Sequence, residues 1–312
     1  MKLKFGFNNY FSQYNLLIIL AVLLIIAAIW TPRFYSRVNL TSILRLSAVL
    51  GLATLGESLV LLVKGVDLSV GAVMGLASIL AAVFMQSISV LASVAFTLLI
   101  CTVAGLANGL LVVKGKMSPF VATLAMMWIL RGVAGLVTQA RIIPIREKAF
   151  TGLATSALGN LIPLVFVGLV VLGVLLHFVL NWTGPGRHLY AVGGDEQAAY
   201  YSGVNISEVR IFVYLVAGLL YGVAGLVFSA YVRCGMPFAA EGYEFRAITA
   251  AALGGVALSG GVGSLWRATL GGIILIMLYS LVTVFAISPY VQGLFEGVIL
   301  IGAVYLCQRW IK

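Results

Sequence analysis

Apolar runs recur along almost the whole chain, and no other feature limits its fold as tightly. They cover approximately 16–30, 42–63, 67–85, 90–113, 118–139, 161–181, 210–232, 245–260, 264–285 and 290–308. A helix needs about 20 predominantly apolar residues to cross a hydrocarbon core roughly 30 Å thick. Ten crossings consume most of the 312 residues and leave no room for a soluble domain of about 100–150 residues. The chain is 62% hydrophobic and 9% charged, whereas soluble domains run at about 45–50% apolar and about 25% charged. It has too few polar groups to cover a water-facing surface and too many apolar ones for disorder. The expected fold is all-α: a polytopic integral membrane protein of about ten transmembrane helices.

The formal net charge is +10. A soluble chain with that excess would point to nucleic acid, but here the basic residues lie scattered at the ends of apolar runs. That pattern reads as membrane topology and contact with anionic lipid headgroups, with no nucleic-acid partner. Cys101, Cys234 and Cys307 are far apart, and His177 and His188 have no ligand spacing. Neither a disulfide framework nor a metal site is expected. The run 16–30 ends in Ile-Trp-Thr-Pro-Arg, a poor cleavage site, and reads as a first span with the amino terminus inside. Ten spans put the amino terminus, residues 182–209 and the chain end on one side, with ten Lys and Arg there against eight on the other. The positive-inside bias is therefore small.

Two polar stretches break the rhythm. Residues 140–160 carry Pro144 and mixed charges, and 182–209 is the longest polar stretch in the chain. They flank one span, 161–181, so they face opposite sides. In the second, Gly193-Gly194 reads as a breaker and Asp195 as an N-cap. Glu196 suits a first turn, Gly203 is a natural stop, and Ser207 can cap the next span. The result is a short helix on the membrane surface, too short to stand alone.

Glycines four apart (Gly71 with Gly75, Gly105 with Gly109, Gly218 with Gly222, Gly293 with Gly297) suit close helix packing in a bilayer. The pattern G-V-x-L-S-x-G occurs twice, at Gly65–Gly71 and Gly255–Gly261, each time between two apolar runs. Interrupted helices in corresponding places are how transporters carry a weak internal repeat.

Chemistry-bearing motifs are missing. A P-loop needs G-x-x-x-x-G-K-[ST]. Across 109–117 the glycines are one residue too far apart, and Met117 stands where the hydroxyl should be. No cofactor site or enzyme activity is expected. Glu57, Arg131 and Glu296 lie inside apolar runs, where each costs about 2.5–3.5 kcal/mol at the bilayer centre. They read either as pathway groups or as an internal pair of Arg131 with Glu57 or Glu296. Ser69, Asn108, Thr123, Gln139, Tyr243 and Gln292 offer neutral hydrogen-bonding groups, and Asp67 and the Glu244–Arg246 pair sit at span ends.

Residues 196–203, Glu-Gln-Ala-Ala-Tyr-Tyr-Ser-Gly, are similar to the E-A-A-x-x-x-G loop of bacterial ABC importer permeases, which the ATPase subunit grips. Gln197 stands where that family often has Ala. Gly65–Gly71, the run from Pro119 through Gly132, Gly186–Gly194 and Leu253–Gly261 occur in the same order as in the ribose/xylose/galactose (monosaccharide) permease family of ABC transporters, over roughly 15 to 308. The chain resembles that family. The resemblance implies one transmembrane permease domain, 1–312, with 182–209 as its cytoplasmic coupling loop, in the bacterial cytoplasmic (inner) membrane. It implies a separate ABC ATPase subunit, a periplasmic or extracellular solute-binding protein and a second permease copy, identical or paralogous. Gly194, Asp195, Glu196, Ala198, Ala199 and Gly203 become the ATPase-coupling residues. The candidate pathway or gate residues are Gly65, Asp67, Ser69, Asn108, Thr123, Arg131, Glu244, Gly255 and Ser259. The alternative is an ion-coupled secondary carrier of a small polar solute.

Overall fold

The computed structural model describes residues 8–285 except Ala239, together with Val291, Gly293, Leu294, 297–302 and 304–305. The chain is helical as expected. Helices α1 (Asn8–Trp30), α2 (Arg37–Leu62), α3 (Val70–Phe84), α4 (Val90–Val113) and α5 (Pro119–Thr138) come first. After a connector that includes α6 (Lys148–Thr155) follow α7 (Leu164–Trp182), α8 (Gly184–Gly194), α9 (Glu196–Tyr201), α10 (Ile206–Val232), α11 (Tyr243–Leu253) and α12 (Leu265–Val284).

Among the described residues, six helices are long and apolar enough to cross a membrane: α2, α4, α5, α7, α10 and α12. Two of the expected spans are shorter. Helix α3 has 15 residues and α11 has 11, roughly 22 and 16 Å at 1.5 Å per residue, against a core of roughly 30 Å. Within the expected span 290–308, residues 290, 292, 295, 296, 303 and 306–308 lie outside the described residues, Glu296 and Gln292 among them.

The strict all-α expectation needs a small correction. Two-residue strands β1 (Ile143–Pro144) and β4 (Cys234–Gly235) pair antiparallel, as do β2 (Ala157–Leu158) and β3 (Ile162–Pro163). They satisfy the backbone of the polar connector, whose prolines cannot continue a helix. Arg37 Nε and Arg45 Nη2 then tie the start of α2 to this connector through the carbonyls of Asn160 (2.9 Å) and Thr155 (3.2 Å).

Helix α2 is the centre of the bundle. In its most apolar 18-residue stretch 83% of residues are buried, against 17% for α7. Helices α4 and α10 meet backbone to backbone. A Cβ on Gly105 would lie 2.9 Å from Gly218 Cα, and one on Gly218 would lie 2.8 Å from Gly105 Cα. Gly71 and Gly75 pack against the backbone of Ala240 and Pro237. A Cβ on Gly293 or Gly297 would meet nothing within 4 Å among the described residues.

Both copies of G-V-x-L-S-x-G fall where helices break. The first separates α2 from α3, and the second separates α11 from α12. The second needs left-handed backbone: φ is +81° at Gly255, +82° at Gly260 and +72° at Gly261, conformations that glycine adopts without steric cost.

Candidate functional site

The loop 182–209 folds into a helical hairpin. Its first arm, α8, is absent from the sequence reading, which took Gly193-Gly194 as a breaker; they form the last turn of α8. The overlooked signal is Pro185 at the helix start, where its missing N–H costs nothing. Asp195 stops α8 and caps α9, accepting from the backbone N–H of Gln197 (2.9 Å) and Ala198 (3.1 Å). Gly203 ends α9 with φ +80°. The cap of α10 is Asn205, not Ser207: its Oδ1 accepts from Glu208 N–H at 3.3 Å. Glu196 pairs with Arg210, fastening the start of α9 to the first turns of α10. Ala198 and Gly194 lie on the open side, whereas Ala199 is buried beneath the helix, and Tyr200 and Tyr201 are 67% and 85% exposed. Two bare aromatic rings beside a capped, pinned turn form an exposed knob.

The base of that knob touches both helix breaks. Gly261 donates its N–H to Leu62 O at 2.9 Å, and Gly193 is packed between these same two segments. Lys64 Nζ reaches Gly194 O at 3.5 Å, and Tyr190 donates its hydroxyl to Gly263 O at 2.9 Å. Burial pushes the Tyr190 hydroxyl pKa up, so the group stays a donor. Of the candidate residues, Gly65 and Gly255 sit in these two breaks, and Ser259 is the exposed tip of the second. A cavity of about 410 Å³ lies beside the knob, lined by Lys64, Gly65, Lys116, Glu196, Arg210 and Tyr214 among others.

Above the first break four candidates come together. Asp67, Ser69, Asn108 and Thr123 are all fully buried. Asp67 Oδ1 accepts from Ser69 N (2.8 Å) and Ser69 Oγ (2.6 Å). Asn108 Nδ2 donates to Ser69 Oγ at 2.9 Å and reaches Asp67 Oδ2 at 3.4 Å. Thr123 Oγ1 accepts from Leu68 N at 3.1 Å and donates to Pro119 O at 2.8 Å. Asp67 does sit at a span end, just before α3, but it is fully buried there, and its carboxylate ties down the unwound segment. Glu57 joins this network and does not pair with Arg131. Its carboxylate accepts from Asp67 N (3.3 Å) and from the hydroxyl of Tyr221 (3.1 Å).

A buried acceptor of several donors is expensive to remove. Replacing Asp67 with alanine orphans the Ser69 N–H and hydroxyl, at about 1–3 kcal/mol for each buried group left unsatisfied. The expected outcome is a lower denaturation midpoint for the purified protein in detergent. Asp67→Asn, which keeps the Oδ1 acceptor, should lose less. Equal midpoints for Asp67→Ala and the unaltered chain would refute this role.

Arg131 and Glu244 form a separate group. Arg131 Nη2 lies 3.1 Å from Glu244 Oε1, and Nη1 lies 3.7 Å from Glu241 Oε1. This joins α5 to α11 in place of the expected pairing with Glu57 or Glu296, of which Glu296 lies outside the described residues. Gln139 is the left-handed cap of α5 and Tyr243 starts α11; neither belongs to the Asp67 network. Tyr221 and Glu241 were not singled out in the sequence. A tyrosine within an apolar helix and an acid three residues before another look unremarkable in one dimension.

The chain is similar to known transport proteins over nearly all its length. The family described as branched-chain amino acid transport system / permease component matches residues 39–304. The ribose import permease protein RbsC of Bacillus subtilis (strain 168) is 34% identical over 300 residues, 93% of this chain and 91% of that protein. RbsC of Escherichia coli (strain K12) is 34% identical over 94% of this chain and 92% of its own length. The L-arabinose transport system permease protein AraH of the same strain is 32% identical, covering 97% of this chain and 92% of AraH. No solved structure matches the chain.

Proposed function

The chain belongs to the ABC-importer permease family that includes the ribose and arabinose permeases, and from that premise we propose that it is the membrane-spanning subunit of an ATP-driven, binding-protein-dependent importer of a monosaccharide or sugar-like solute. It is a multi-pass protein of the bacterial cytoplasmic membrane and a transport component, not an enzyme; the ATPase is a separate subunit. The reading beyond the family rests on one observation: the end of α8 is packed against both helix breaks while α9 leaves Tyr200 and Tyr201 exposed. An ATPase that grips α9 moves α8, and α8 moves the two breaks. Gly194, Asp195, Glu196, Ala198, Ala199 and Gly203 shape that grip, with 182–209 as the coupling loop of a single domain, 1–312. Gly65, Asp67, Ser69, Asn108, Thr123, Arg131, Glu244, Gly255 and Ser259 are assigned to the gate and its supports. The two G-V-x-L-S-x-G breaks are corresponding points of a weak internal repeat, and α3 and α11 are interrupted elements within a bundle of about ten membrane segments. A periplasmic binding protein delivers the solute, a second permease copy completes the path, and anionic lipids meet the basic span ends.

Reconstitution into proteoliposomes tests this. Uptake of D-ribose or L-arabinose should require ATP, the ATPase subunit and the binding protein together. Uphill accumulation by this chain alone, driven by an ion gradient, would overturn the proposal.

A further inference from the structure

The Arg131 group carries more charge than a structural pair needs. One guanidinium faces two carboxylates, Glu244 and Glu241, so the group is formally one negative charge in excess. Glu244 is buried, but the Glu241 side chain is 63% exposed. Its depth is fixed by its partner: Arg131 is the thirteenth of the 20 residues of α5, roughly 18 Å along the helix from Pro119 and roughly 10 Å from Thr138. At that depth an exposed carboxylate cannot face hydrocarbon; ionisable groups within spans face the bundle interior or a water-filled cavity. The segment around Glu241 runs against Gly71 and Gly75 of α3, which holds it at this level.

An aromatic ring stands beside it. Trp128 lies one turn before Arg131 on the same face of α5, is 64% exposed, and has the guanidinium 5.7 Å from its ring centroid. Gly132, four residues after Trp128, has nothing within 4 Å, so the ring is not walled in from that side. An open indole next to a fixed donor and a free acceptor is what a neutral polyhydroxylated ring needs: an apolar surface for its C–H face and a few placed polar groups for its hydroxyls.

We propose that Trp128, Arg131 and Glu241 form a binding station for a neutral monosaccharide within the transport path, with Glu244 buried behind it to hold Arg131 in place. The ring stacks on the indole, Glu241 accepts hydroxyl hydrogens, and Arg131 donates. This rests on the importer reading above and adds to it the residues that meet the cargo.

The test uses the assembled transporter in membrane vesicles, with Cys101, Cys234 and Cys307 replaced by serine. Glu241→Cys should react with a water-soluble, membrane-impermeant thiol reagent about tenfold faster than Val133→Cys on the opposite face of α5, in line with the cost of admitting a charged reagent to hydrocarbon. Equal, slow labelling would place Glu241 against lipid and overturn the proposal. For transport, Trp128→Ala should raise the KM for D-ribose or L-arabinose about tenfold, and Trp128→Phe should restore it to within about twofold. Unchanged KM in Trp128→Ala would also overturn it. Failure of the importer reading looks different: the unaltered complex would show no ATP-dependent uptake, while the labelling arm could still be read.

Discussion

Methionine in place of Arg131 is expected to lower the unfolding free energy by about 3–5 kcal/mol, the cost of breaking a buried ion pair by removing one partner. The Glu244 side chain is 5% exposed and the Arg131 side chain 12%. Glu244 Oε2 has no hydrogen-bond partner among the described residues, so the guanidinium on Oε1 is its main compensation. The pair joins α5 to α11, an 11-residue helix too short to anchor itself across a bilayer. Without it, a buried carboxylate stands alone beside the backbone of Gly71. Denaturant titration of the purified protein measures the loss. The double replacement Arg131→Met with Glu244→Gln should recover part of it, because a neutral amide costs less to bury than a charge, and the cycle isolates the pair energy. A single-mutant loss below about 1 kcal/mol would mean that the pair behaves like an exposed salt bridge.

Gly193→Ala is expected to cut ATP-driven uptake about tenfold or more, corresponding to overpacking of about 1–3 kcal/mol at the junction proposed to transmit the stroke. A Cβ there would overlap Leu62 O and lie 2.5 Å from Gly261 N. Both obstacles are backbone, so neither can rotate aside; α8 must lift away from one break or the other. Gly168→Ala is the matched control, since that glycine of α7 has nothing within 4 Å and should retain uptake. The measurement is transport of labelled sugar by the reconstituted complex, with insertion checked by membrane yield. Normal uptake in Gly193→Ala would show that α8 does not bear on the breaks during transport.

The membrane class was legible because apolar run length answers directly to bilayer thickness. The short helix 196–201 was legible too, since Asp195 and Gly203 are local signals that act within a few residues. The span count was harder. Residues 245–260 are as apolar as a crossing helix, but Gly254 and Gly255 end α11 by packing against α12, a tertiary fact. The polar candidates Asp67, Ser69, Asn108 and Thr123 could be nominated one by one for their chemistry. That they share one network depends on α4 and α5 closing over the first break. The partner of Arg131 was misjudged for a related reason. Glu57 looked isolated in its apolar run, while the acids that meet the guanidinium come from the segment before α11 and from its first turn, more than 100 residues away.

Because one glycine of α8 is wedged between the two G-V-x-L-S-x-G breaks, the breaks share a single cytosolic fulcrum. A crank attached at one point to two arms keeps them in phase: neither arm can swing through a full stroke while the other stays at rest. On the proposed reading, this linkage is what prevents half-strokes, in which a gate would spend ATP without carrying its cargo through.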